Sequence, residues 1–142
     1  MELIFAAANA AVLPFWLLLL VAPTGRLTLR VMGGYVPVLV LAAVYAVVVV
    51  PGLPAALPEL ANPKLEPIRA LLGTPEGATG AWLHLLAFDL LAGTLAWRDA
   101  LARGVPLWPL RACLVLTLMA GPLGFAVYWL GVRRLGRPPV MD

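Results

Sequence analysis

The sequence predicts an all-α fold, a four-transmembrane-helix bundle forming one integral membrane domain over residues 1–142, with a short interfacial helix between spans two and three. Three observations predict it. The chain is 63% hydrophobic and 12% charged, whereas a soluble domain carries about 25% charged residues. Four apolar runs, at about 3–21, 32–50, 79–97 and 110–130, each match the ~20 residues that a helix rising 1.5 Å per residue needs to cross ~30 Å of hydrocarbon. The basic residues stand singly or in twos and threes at the ends of these runs, where membrane flanks are found.

That placement also decides what the net charge of +3 means. No basic stripe follows one face, so nucleic acid is not the expected partner. The single cysteine, Cys113, lies in the fourth run and excludes internal disulfides and cysteine-rich metal sites. Iron-dependent membrane oxidations need several histidine or carboxylate ligands, and this chain has one histidine, His84. No metal site, nucleotide fingerprint or phosphate-cradling glycine loop is read, and no cofactor is expected.

The first run contains Asn9 and Pro14 and ends at Pro23-Thr24-Gly25, a turn signal. Before it stand Glu2 and no Lys or Arg, so it reads as a retained span rather than a signal peptide. Pro14 has no N–H to give Ala10, which predicts a kink or a partner group there. The second run has Gly33, Gly34 and Pro37 near its start, Tyr45 in its latter half, and stops at Pro51-Gly52. In the proline-rich connection over 51–80, Leu65, Ile68 and Leu72 recur at helical spacing beside Lys64, Glu66 and Arg69, predicting a short helix laid along the interface like a lid. In the third connection Asp99 can pair with Arg98 or Arg103, a contact that contributes little if exposed. The fourth run carries Arg111 at its mouth and Gly121-Pro122-Leu123-Gly124 at mid-depth. Four full crossings put five basic residues on each side, so orientation rests on loop length alone, which leans toward both termini outside the cytoplasm.

The third run holds the candidate chemistry. An ionisable residue inside a membrane helix is costly and marks a functional site by default. At about 100° per residue, His84, Phe88, Asp89, Trp82 and Gly93 share one half of the wheel, and Leu83, Leu86, Leu90 and Leu91 share the other. His84 and Asp89 are about 140° and 7.5 Å apart, too far to bond but able to line one cavity. Counting from the span midpoints puts Asn9, Tyr45 and His84 in one layer, and Asp89 level with Gly121-Pro122 and close to Pro14. His84 and Asp89 are therefore the candidate catalytic pair, a neutral acid at mid-depth beside a potential base, the alternative being that each only pairs with backbone or polar groups of neighbouring helices. Asn9, Tyr45, Trp82, Phe88 and Pro14 are candidate substrate-binding residues.

Asn9, Val12-Leu13-Pro14-Phe15-Trp16, Pro23, Ala81-Trp82-Leu83-His84-Leu85-Leu86-Ala87-Phe88-Asp89-Leu90, Arg98-Asp99 and Gly121-Pro122-Leu123-Gly124 together resemble the abscisic-acid-deficient-like membrane proteins, over roughly residues 4–130. The resemblance adds Trp16 to the candidate binding residues. It implies a carotenoid or other apolar isoprenoid as partner, and an epoxide-opening isomerisation that makes an allene, the neoxanthin-forming type. It equally accommodates a non-catalytic helper that binds pigment or a partner enzyme through the small-residue face of span three. Plant members carry a plastid-targeting extension that this sequence does not show at its start, so it reads as a bacterial member in the cytoplasmic membrane. Four short spans enclose little volume, and a homodimer could complete the site.

Overall fold

A single helix, Pro75–Arg103, sets the frame of the computed structural model, which describes residues 1–137. Numbered in chain order, the helices are α1 (Glu2–Val21), α2 (Arg26–Met32), α3 (Val36–Val49), α4 (Leu53–Ala61), α5 (Leu65–Leu72), α6 (Pro75–Arg103), α7 (Leu107–Met119) and α8 (Gly121–Leu130), with short 3-10 turns at Val50–Gly52 and Val132–Leu135. No strand occurs among the described residues. At 1.5 Å per residue α6 is about 43 Å long, more than the hydrocarbon thickness. Its start is fixed by Thr74, whose Oγ1 accepts from the Gly77 N–H at 3.0 Å with Pro75 in the first turn. Gly104, at φ +64°, ends it.

Three segments are long and apolar enough to cross a membrane: α1, the stretch Arg26–Ala61 that contains α3, and α6. The expected second span, 32–50, is present as α3 but starts a few residues later. After α2 the chain breaks at Gly33-Gly34, and Tyr35 adopts a left-handed conformation, φ 56°, before α3. Arg98 secures this corner: its guanidinium donates to the Gly33 carbonyl at 2.8 Å and lies 4.9 Å from the Tyr35 ring centre. The turn after α1 is tied in turn by Thr28, which donates to the Ala22 carbonyl at 2.6 Å, and by Trp97, whose Nε1 donates to the Pro23 carbonyl at 2.8 Å. The short helix anticipated around Leu65–Leu72 is present as α5, preceded by a second short helix, α4.

Between lipid-facing helices apolar burial supplies little drive, so close packing on small residues has to hold the bundle. Gly93 is the clearest case. A methyl group there would lie 2.6 Å from Trp16 Cη2, and Trp16 is only 2% exposed. The face of α6 that carries Gly93 and Ala96 is therefore filled by Trp16 of α1 and Leu114 of α7. It is core, not an open small-residue groove.

The fourth apolar run departs from the single span expected. It is split at Ala120, φ −153° and ψ 69°, into helices of 13 and 10 residues that fold back on each other. A Cβ on Gly124 would collide with the Thr117 backbone nitrogen and Oγ1, although seven residues along one straight helix would be about 10 Å apart. Both ends of the pair lie at the C-terminal end of α6: Arg103 begins the connection to α7, and after α8 Tyr128 and Arg133 bond Asp99 while the Arg137 N–H donates to the Arg103 carbonyl at 2.8 Å. The tip lies beside Asp89, which has fourteen helical residues on either side of it in α6. α7 and α8 thus form a folded-back helical hairpin that reaches half-way along α6 and returns, re-entrant in shape, where one spanning helix was expected.

Candidate functional site

His84 is the anchor of the candidate site. One turn after it Phe88 stacks on the imidazole, ring centres 4.5 Å apart, and across from it the Tyr45 ring of α3 stands 5.7 Å away. These rings meet because α3 and α6 pack closely at this level, where a methyl on Gly80 would come within 2.8 Å of Val49 Cγ2. Tyr45 and His84 line a cavity of about 440 Å³, whereas Phe88, 57% exposed, does not. Leu53, Ala56 and Leu60 of α4 and Leu71 and Leu72 of α5 roof it, and Thr74 and Glu76 stand at the start of α6. The wall is mostly apolar with few polar groups, the character of a small-molecule site. At the N-terminal ends of α1 and α6 and the C-terminal end of α3, it sits opposite the hairpin.

The remaining sequence-derived candidates fall elsewhere. Asp89 does not line this cavity. Its carboxylate is seated against Gly121 at the first turn of α8, where any β-carbon would collide with Oδ1. The positive end of a helix dipole faces it there, and the alignment with Gly121-Pro122 expected from depth is observed. His84 and Asp89 thus occupy different surroundings, as their angular separation on one helix permits. Asn9 and Trp82 form a separate tie between α1 and α6: Trp82 Nε1 donates to Asn9 Oδ1 at 3.0 Å, Asn9 Nδ2 donates back to the Phe5 carbonyl at 2.8 Å, and the Phe5 and Trp82 rings lie 5.7 Å apart. Both polar ends of the Asn9 amide are engaged within the protein. Trp16 is a core wedge, and Pro14 is exposed on the outer side of α1.

One polar cluster escaped the sequence reading. Asp99 accepts from Tyr128 Oη at 2.7 Å, from Arg103 Nε at 2.9 Å and from Arg133 Nε at 3.0 Å. Its side chain is 20% exposed, so it is a half-sheltered clamp rather than a solvated pair. The Arg103 contact was legible from its spacing of four residues, whereas Tyr128 and Arg133 reach it only because the hairpin turns back. The Thr74-Pro75-Glu76 cap signal, which places the start of α6 ahead of the expected 79, was present and unused.

The chain is similar to the protein ABA DEFICIENT 4, chloroplastic, of Arabidopsis thaliana, with 28% identity over 132 residues. The match covers 89% of this chain and 59% of the relative, so the chain spans less than two thirds of that protein's length. No solved structure matches. Residues 3–128, nearly the whole of the helical segment described above, fit the family model for ABA DEFICIENT 4-like proteins, and the chain belongs to that family.

Proposed function

We propose that this membrane protein binds the end group of a carotenoid-like isoprenoid in the cavity beneath α4 and α5, and catalyses a non-redox acid–base isomerisation there. The observation that carries the reading is the meeting of His84 and Tyr45 on the wall of a mostly apolar cavity, whose other polar side chains, Thr74 and Glu76, stand at the start of α6. About 440 Å³ suits one ring-sized end group with a few chain carbons, leaving the polyene in the bilayer. The resemblance to proteins associated with neoxanthin formation supports an epoxide-bearing end group.

In such a reaction one C–O bond of the epoxide breaks, the oxygen gains a proton, a skeletal carbon loses one, and a new C=C bond forms, so no electrons enter or leave. His84 takes the proton from carbon and the Tyr45 hydroxyl donates to the departing oxygen. The imidazolium then returns the proton across the cavity. Asp89 lies outside the lining, packed against Gly121 at the hairpin tip, and takes no part in this step.

Co-expression with carotenoid-producing enzymes, followed by pigment extraction, tests this. Wild type should shift the product profile. His84→Gln and Tyr45→Phe should each lower turnover by about 10²-fold or more, the usual scale of a lost acid or base, while Asp89→Asn retains it. Loss in Asp89→Asn with Tyr45→Phe fully active would return the acid role to Asp89. Pigment that co-purifies unchanged would favour a binding helper, and neither binding nor conversion would overturn the reading.

A further inference from the structure

The hairpin changes the charge balance across the membrane. If the fourth run crossed completely, Arg133, Arg134 and Arg137 would lie opposite Arg98. Because α8 returns, they join Arg26, Arg30, Arg98, Arg103 and Arg111 at one end. Eight of the ten basic residues then stand together, and only Lys64 and Arg69 flank the cavity end, where Glu2, Glu59, Glu66 and Glu76 also lie. Asp99 is the one carboxylate of the basic end among the described residues, and it is already bonded to Arg103 and Arg133. Arg26, Arg30 and Arg134 are exposed and have no carboxylate partner among the described residues. Two large aromatics stand at the same end: Trp108 is 79% exposed at the start of α7, and Trp129, 43% exposed, lies 4.0 Å beneath the Arg133 guanidinium. Exposed tryptophans at the same end as arginines without a carboxylate partner are the composition of a headgroup-level belt.

We propose that this arginine-rich end is a docking face for anionic lipid headgroups. It fixes that end on the side from which the chain is inserted, and places the His84 cavity in the opposite leaflet with the N-terminus. The inference is independent of what the cavity does, since it concerns only orientation and lipid contact.

Two measurements on the full chain test it. In a Cys113→Ala background in a bacterial inner membrane, Glu66→Cys on α5 and Leu135→Cys after α8, both at exposed positions, are treated with a membrane-impermeant maleimide. Glu66→Cys should react in intact spheroplasts and Leu135→Cys only after the membrane is opened, with both reacting in detergent. Reaction of both from one side, or the reverse pattern, would overturn the proposal. In neutral detergent, phosphatidylglycerol added to the micelles should raise the unfolding midpoint above that in phosphatidylcholine. The triple variant Arg26→Glu, Arg30→Glu, Arg134→Glu should lose that difference and show a several-fold rise in Leu135→Cys labelling of intact spheroplasts. Equal midpoints for wild type in the two lipids, or an equal shift with inorganic phosphate alone, would refute headgroup docking.

Discussion

Asp99→Asn should loosen the re-entrant hairpin far more than a surface charge change would. The wild-type carboxylate accepts from Tyr128, from Arg103 through both oxygens at 2.9 Å, and from Arg133 at 3.0 and 3.3 Å. The side chains of Asp99, Arg103 and Arg133 are 20%, 13% and 28% exposed, so water screens them only partly. Hydrogen bonds to charged groups contribute about 1.5–3 kcal/mol each, and two cations sharing one carboxylate at partial exposure bring the expected total loss to about 2–4 kcal/mol. Tyr128→Phe removes one bond and leaves both ion pairs, so it should cost about 1.5 kcal/mol, the low end of that range. The readout is the Cys113 thiol, 3% exposed on α7, which can meet a maleimide only when the hairpin lifts from α6. If the opening carries the whole loss, Asp99→Asn should speed labelling roughly 30- to 700-fold, at 1.4 kcal/mol per tenfold. A change of less than threefold, or an effect of Tyr128→Phe equal to that of Asp99→Asn, would refute the clamp.

Gly93→Ala should destabilise the protein by about 1–3 kcal/mol by overpacking against Trp16. In a Trp16→Phe background the same change should cost much less, and thermal midpoints that simply add would show that the two do not touch. Gly124→Val should force α7 and α8 apart at Thr117. Faster Cys113 labelling checks this, whereas an unchanged rate would contradict the folded-back hairpin.

What the sequence made legible was governed by distance along the chain. The first and third runs appear as α1 and α6 because unbroken apolarity of that length has few other uses, and the short helix around Leu65–Leu72 appears because its helical spacing is local. The fourth run was misread for the same reason. Hydropathy records that about twenty residues are apolar but not whether they continue or reverse, and Gly121-Pro122-Leu123-Gly124 marks a break without giving its angle. The evidence for reversal lies in the contacts of Asp99 with Tyr128 and Arg133, which are 29 and 34 residues away. In the site, depth counting grouped Asn9, Tyr45 and His84 and set Asp89 level with Gly121 and close to Pro14; Tyr45 meets His84 and Asp89 meets Gly121, whereas Asn9 turns to Trp82 and Pro14 lies exposed on α1. The helical wheel treated half a circle as one face, and so joined His84 and Asp89, which the third dimension separates.

A hairpin that stops midway has an assembly cost that a spanning helix avoids. Neither arm, at 13 and 10 residues, can leave the translocon into lipid alone as a finished transmembrane segment, because its turn would strand main-chain dipoles in oil. The pair can settle only once α6 offers the Asp89 notch to its tip and Asp99 to its exit. Both of its supports lie on α6, so the hairpin has nothing to close against until that helix is in place.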